Sequence, residues 1–298
     1  MARRATADPL FRLVAYALEA AHGRLPAAVW SAPHAFHLGS PALVAAAGWP
    51  VAAAAAARTD GLVRLSSLSH PAQSCALPLS GTRPTDVPDW AGRPYAVLRA
   101  LAEAGYGRRG TDLHVHGTLT AAAGLSLAEP ADCAVALAVA DVHGPDGEPE
   151  EGPGGGSDVR ARIAEILREA APHGDEALRG AVLYARPGPA LLTGKDGRRR
   201  HVPFAPDGSG ARLVLMAARG GPRGRGSDLP RAVECARVAG ALSIWPAGER
   251  APRSVLMLLP EDRRTAVRRA VAEDFHARRR PVPRFLNIAV AGAARRED

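Results

Sequence analysis

Apolar residues recur at three- and four-residue spacing in six stretches, and each predicts a helix with one buried face. Leu10 to Ala20 is the first, with Arg12 and Glu19 breaking its apolar run. Trp90 to Ala104 follows, with Tyr95, Leu98, Leu101 and Ala102 in register. Then come Ala131 to Val142, Asp158 to Ala170 with Ile163, Ile166 and Leu167, and Arg231 to Ala239. Glu261 to Arg278 closes the set with a Val267, Val271, Phe275 stripe. Between them, short apolar runs bounded by turn residues predict strands. These are Ala28 to Ala32, Val51 to Ala56, Leu62 to Leu65, His114 to Leu119, Ala181 to Val202, Arg212 to Ala217, Val255 to Leu259 and Arg284 to Val290.

The opening therefore reads as a β-meander: a short strand, a His-rich turn carrying His34 and His37, a second strand, a turn at Arg58-Thr59-Asp60-Gly61, and a third strand. Gly194-Lys195-Asp196-Gly197 is the clearest hairpin signal. Residues Gly144 to Ser157 combine acidic residues, prolines and consecutive glycines with no apolar period, which predicts a flexible loop. The pattern as a whole is α+β, with mixed and antiparallel sheets and helices packed on them. A change of composition and pattern near residue 172 divides it into domains of residues 1–172 and 173–298.

Composition changes this picture little. With 298 residues, 47% of them hydrophobic, the chain can bury two cores. The net charge of +8 rests on arginine, since Lys195 is the single lysine. Together with abundant Ala, Gly and Pro, that reads as a coding bias and is poor evidence for nucleic-acid binding. Arg198-Arg199-Arg200 and Arg278-Arg279-Arg280 read as solvated faces. Three separated cysteines, Cys75, Cys133 and Cys235, fit a reducing cytoplasm. No signal peptide is read at the start, and the longest apolar stretch, Leu43 to Ala57, contains Pro50 and is too short to span a bilayer.

The chemistry concentrates at Leu119 to Asp132, which has the outline of a phosphate-binding loop: an incoming strand, a Gly124-Leu125-Ser126 turn, and a following helix. Such a loop offers backbone N–H groups, a helix N-terminus and hydroxyls to an anion and its metal. Alone, Gly-Leu-Ser is explained by an ordinary junction with Ser126 as helix cap. Asp112, His114 and His116 alternate and share one strand face, which is metal-ligand chemistry without a fourth ligand, so no metal site is assigned.

Three segments in order resemble the galactokinase branch of the GHMP kinases. Trp30-Ser31-Ala32-Pro33 is similar to the opening of the family's sugar-binding motif. Asp112-Leu113-His114-Val115 with Gly124-Leu125-Ser126 is similar to its strand and Gly-Ala-Gly-Leu-Ser-Ser-Ser turn. Gly240-Ala241-Leu242 with Val255 to Pro260 and the next helix resembles its C-terminal glycine-rich motif, and Ala190-Leu191-Leu192 with Val202-Pro203-Phe204 its central hairpin. The resemblance implies a two-domain GHMP-kinase-like fold, shortened in its second domain, with ATP and Mg²⁺ as cofactors. It also implies cofactor contacts at Gly124, Leu125, Ser126 and Asp132 and acceptor contacts at His34 and His37. The family's catalytic aspartate falls near Leu178, where Asp175 is the nearest carboxylate.

The departures fall where the family does its chemistry. The family's arginine position is Ala35, its asparagine His37, and its Glu-His-Thr-Asp run is Pro41-Ala42-Leu43-Val44. The first loop glycine is Ala122, two serines are Leu127 and Ala128, and the last glycine-rich turn is Gly248-Glu249-Arg250-Ala251-Pro252-Arg253. Losing hydrogen-bonding groups costs roughly 1–3 kcal/mol for each ligand hydroxyl left unpaired. Phosphoryl transfer needs positioned metal, cradled phosphates and an oriented acceptor together. Three readings stand: a non-catalytic binding or regulatory module for a small-molecule or nucleotide ligand, a divergent ATP-dependent small-molecule kinase, and an arginine-driven nucleic-acid binder.

Overall fold

The computed structural model describes residues 8–40, 42–82, 84–119, 125–144, 155–194, 196–218, 228–247 and 254–297. The chain opens with helix α1 (Pro9–His22), which starts where Asp8 Oδ1 accepts the Leu10 N–H at 2.8 Å and ends at Gly23 in the left-handed region. Two long strands follow, β1 (Ala28–Ser40) and β2 (Leu43–Ala57), paired antiparallel over nearly their whole length. The expected short strand and His-rich turn are thus one continuous strand, with His34 and His37 inside it. Its register shifts between Pro33 and His34, opposite Gly48 and Trp49. That bulge accommodates Pro50, which has no N–H to give a ladder.

Strands β3 (Leu62–Ser66), β4 (Cys75–Pro78) and β5 (Thr111–Gly117) extend the sheet in the order β1-β2-β5-β3-β4. Alanine is a poor strand former, yet β2 is built on it because both faces of the strand are covered closely by helices. Ala53 and Ala55 point into the main core, while Ala52, Ala54 and Ala56 meet Phe11, Val14 and Leu18 of α1. The main core is completed by α2 (Asp89–Glu103), α3 (Ala128–His143), α4 (Gly155–Ala170) and α5 (Glu176–Tyr184). Helix α3 is buried nearly all round, as its alanine-rich sequence demands of a central helix.

Residues Ala181 to Tyr184 are helical, which corrects the expected strand over Ala181 to Val202. The Asp175 side chain caps this helix by accepting the Leu178 N–H at 2.9 Å, and that local start outweighs the strand-like run of apolar residues. Two strands do follow, β6 (Ala190–Thr193) and β7 (Arg199–Val202), joined at the expected Gly194–Gly197 turn; Lys195 lies outside the described residues. Because β6 pairs with the far end of β2, the chain leaves the first sheet only after β7, and the composition break near residue 172 falls inside this unit, between α4 and α5.

The second sheet has the order β11-β8-β10-β9, from β8 (Ala211–Ala217), β9 (Ser243–Pro246), β10 (Ser254–Pro260) and β11 (Arg284–Ile288). Its outer face, Val214, Met216, Val255 and Met257, packs under α6 (Leu229–Val238) and α7 (Arg264–Ala277). Its inner face, Leu213, Leu215 and Leu256, meets Phe36, Ala45, Ala47 and Leu125 of the first unit. Short strands β12 (Val290–Ala291) and β13 (Arg295–Arg296) return the chain to the first sheet. The fold is thus α+β with two sheets meeting across an apolar seam.

Candidate functional site

Helices α3 and α5 begin close to the middle of β1, and the side chains at their starts are tied to one another. Ser126 precedes α3 and sits three residues before Glu129, the S-x-x-E spacing of a capping box. Its hydroxyl donates to Glu129 Oε2 and lies 3.4 Å from the Ala128 N–H. The other Glu129 oxygen accepts the Asp175 N–H at 3.0 Å, so one buried carboxylate joins the starts of both helices. Sequence reasoning passed over Glu129, although the S-x-x-E spacing was the available signal.

Asp175 and His37 are brought together. His37 Nε2 lies 2.7 Å from Asp175 Oδ2, with 16% and 22% of the two side chains exposed. Burial would raise the Asp175 pKa, but the His37 bond and the Leu178 N–H outweigh it, and the carboxyl is held below its ordinary range. The carbonyl of His37 accepts the Trp245 Nε1–H at 2.7 Å, a direct polar tie from β9 across the seam. His34 is fully buried on the same strand, and its Nδ1 lies 3.1 Å from the Ser126 carbonyl. A carbonyl only accepts, so Nδ1 carries the proton and Nε2 is left as an acceptor with no hydrogen-bond partner among the described residues. Burial pushes the His34 pKa down and keeps the ring neutral.

Asp132 stands apart from these groups, one turn into α3. It is 2% exposed and accepts from two Arg93 nitrogens, Nη2 at 2.7 Å and Nε at 3.0 and 3.1 Å to its two oxygens. Its pKa is nevertheless raised, because desolvation exceeds what Arg93 and the more distant Arg179 return. Arg93, 42% exposed, shows the other side of the pair: burial works against its charge, and the bonds to Asp132 outweigh it. Buried Arg179 donates to the Ala171 carbonyl at 3.3 Å and presses on Gly174, where an added Cβ would lie 2.5 Å from its Nη2.

Leu125 is buried in the apolar seam with Phe36, Leu213 and Ala247, and Leu127 is half-buried at the start of α3. Gly124 and Ala122 lie outside the described residues, as do the Gly248 to Arg253 turn positions. The structure therefore brings His34, His37, Ser126 and Asp175 to one place and leaves Asp132 to Arg93.

Asp112, His114 and His116 lie together on β5, but the first two are engaged elsewhere. Asp112 accepts from Arg58 and Arg64, and Ser66 Oγ is 2.8 Å from His114 Nδ1. Among the described residues, no three His, Cys, Asp or Glu side chains converge as metal ligands would. Among the exposed arginines, Arg199 lies 4.4 Å over the Tyr184 ring and Arg278 pairs with Asp274 at 3.1 Å. No described helix is long and apolar enough to cross a membrane.

No protein-family model matches the chain. Over 130 residues it is 31% identical to the galactokinase of Streptomyces coelicolor, a stretch that is 41% of this chain and 34% of that protein. The chain thus spans about a third of the length of this curated relative. Its fold is similar to Lactococcus lactis galactokinase, solved in complex with galactose, with a TM-score of 0.76 at 12% identity over 96% of this chain and 99% of that one. It is also similar to Methanococcus jannaschii mevalonate kinase, with a TM-score of 0.62 at 10% identity over 89% and 98% of the two chains. Homoserine kinase from Cytophaga hutchinsonii gives 0.60 at 14% identity over 90% and 96%. The chain thus shares the fold of these kinases and, over a stretch of 130 residues, is similar in sequence to a galactokinase.

Proposed function

We propose that this chain is a galactokinase-like binding or regulatory module that does not carry efficient phosphoryl transfer. One observation carries the reading: among the described residues, the hydroxyl and carboxylates at or beside the motif positions, Ser126, Asp132 and Asp175, are already engaged with neighbours. Ser126 gives its proton to Glu129, Asp132 is locked in a bidentate pair with Arg93, and Asp175 caps α5 while holding His37. GHMP kinases use ATP and Mg²⁺, and a metal there needs oxygen ligands free to turn toward it. Buried Asp132 and the Ser126 hydroxyl, each held by a neighbour, do not fit that role. The ligand of such a module is a small molecule or nucleotide bound at the seam between the sheets. Purified protein incubated with ATP, Mg²⁺ and a panel of sugars and small alcohols is expected to yield only trace phosphoryl transfer; turnover above trace overturns the reading.

A second reading, a divergent ATP-dependent small-molecule kinase, is favoured by the His37–Asp175 pair. The family resemblance implies an acceptor contact at His37, Asp175 is the carboxylate nearest the catalytic position at Leu178, and the two sit 2.7 Å apart, each partly exposed. Thermal stabilisation by ATP that requires Mg²⁺ would favour it, since a ligand that binds only the folded state raises apparent stability. Arginine-driven nucleic-acid binding predicts steeply salt-dependent association with any duplex, and flat binding across salt eliminates it.

A further inference from the structure

On the face of the first sheet covered by α1, a buried histidine cluster lies apart from the candidate site. Helix α1 is held along most of its length by Phe11, Val14 and Leu18, packed on Val29 and the β2 alanines. Its C-terminal end is polar. His22, the last helical residue, places Nε2 2.9 Å from Ser66 Oγ on β3, and the same hydroxyl lies 2.8 Å from His114 Nδ1 on β5. The His22 carbonyl accepts from Arg64 Nη2 at 3.1 Å. All three side chains of the His22, Ser66, His114 chain are buried.

We propose that this contact is an acid-sensitive latch: it holds α1 on the sheet while both imidazoles are neutral and releases the helix when they take up protons. One hydroxyl has one proton. With neutral rings, one nitrogen donates to Ser66 Oγ and the other accepts from it, and the chain closes. With both rings protonated, both nitrogens donate, and the hydroxyl must turn its own proton to the Leu113 carbonyl, 3.5 Å away at the limit of a hydrogen bond. Two cations then flank one buried oxygen.

The surroundings make that state worse. Facing the cluster are Arg24 after α1, Arg58 at the end of β2, Arg64 on β3, and Asp112 and His116 on β5. Asp112 is the one carboxylate among them, and it already accepts from Arg58 and Arg64, with Arg24 at 3.7 Å. Glu19 on α1 is exposed to solvent. Burial, with the neighbouring imidazoles, pushes the His114 pKa down to about 4, and burial lowers those of His22 and His116. Undocking α1 rehydrates His22 and opens Ser66 and His114, so release takes up protons.

Amide hydrogen exchange on the full chain between pH 7 and pH 4, corrected for the intrinsic rate, tests the latch. Protection of residues 10–22 is expected to fall about tenfold per pH unit for each proton taken up, while β8 and β10 stay protected. In the His22→Gln, His114→Asn double variant the α1 profile should be flat. Should that variant not fold, imidazole NMR on the unaltered chain serves, with the two rings titrating together with the loss of α1 protection. The latch is refuted by α1 protection that persists to pH 4, by release at the same pH in the double variant, by loss only together with β8 and β10, or by rings that titrate apart from α1.

Discussion

Two polar clusters in the first unit use the same residue types and reach different electrostatic solutions. Beneath α1, Asp112 is fully buried, yet its pKa is lowered: desolvation is outweighed by hydrogen bonds and charge from Arg58 and Arg64. At the seam side, Asp132 is 2% exposed with one close guanidinium, and desolvation wins. Two guanidiniums hold Asp112 charged, whereas at Asp132 desolvation and the neighbouring Glu129 charge outweigh the bonds from Arg93. A cluster of His, Asp and Ser is also no catalytic signature by itself, since the side chains under α1 are taken up in ties to Arg58, Arg64 and Ser66.

The comparison breaks most directly at Asp112. Asp112→Ala leaves Arg58 and Arg64 facing a buried gap, and stability should fall by about 3–5 kcal/mol in denaturant unfolding. Asp132→Asn should cost only about 1 kcal/mol, because half-exposed Arg93 can turn to water. Equal losses at the two sites would show that the arginine count is not the deciding difference.

Next in size is the acid response of the cluster under α1. His114 has a folded pKa of about 4 against 6.5 unfolded, so between those values the unfolded chain binds more protons. Its contribution is complete above pH 6.5 and is lost as pH falls toward 4, by at most roughly 3 kcal/mol. His22, His34 and His116 act in the same direction. Asp112, with a lowered pKa, loses its share only below about 3.8, and Asp132, with a raised one, is relieved by protonation. Unfolding midpoints for the unaltered chain and His114→Gln should converge near pH 4 and separate above pH 6; parallel curves would rule out the histidine as the cause.

The seam-side cluster should respond less, and through function as well as stability. Asp175→Ala removes the α5 cap and the His37 partner, at a cost of roughly 1–2 kcal/mol in unfolding. Asp175→Asn keeps the cap and should recover most of that loss. If the Ala and Asn variants are equally unstable, the His37 bond rather than the cap is the larger contribution.

What could be read from the sequence follows from distance along the chain. The helices with one apolar stripe and the β6–β7 hairpin depend on neighbours within a few residues, and the fold has them. Strand β2 was harder, because an alanine run apolar on both faces has no visible period of two. Helix α5 was hidden because its cap, Asp175, precedes a run that also suits a strand. The Asp112 cluster joins residues 58, 64 and 112, and nothing local in any of those segments announces the others. At the candidate site, His34, His37, Ser126 and Asp175 were each named from motif position, but their ties through Glu129 and Trp245 depend on tertiary contact.

The smallest expected effect concerns the seam itself. Trp245 reaches from β9 to the His37 carbonyl with its indole N–H while its ring packs in the apolar cluster between the sheets. Trp245→Phe keeps most of the apolar contact and removes the donor, leaving a partly buried carbonyl short of a partner, so stability should fall by about 1 kcal/mol. The carbonyl belongs to the residue that holds Asp175. If the seam aligns the two sheets through this bond, the His37 imidazole should shift its NMR titration in the Phe variant. An unmoved titration with the same loss of stability would make the bond a local tie only, and the two halves of the site would then be aligned by apolar packing alone.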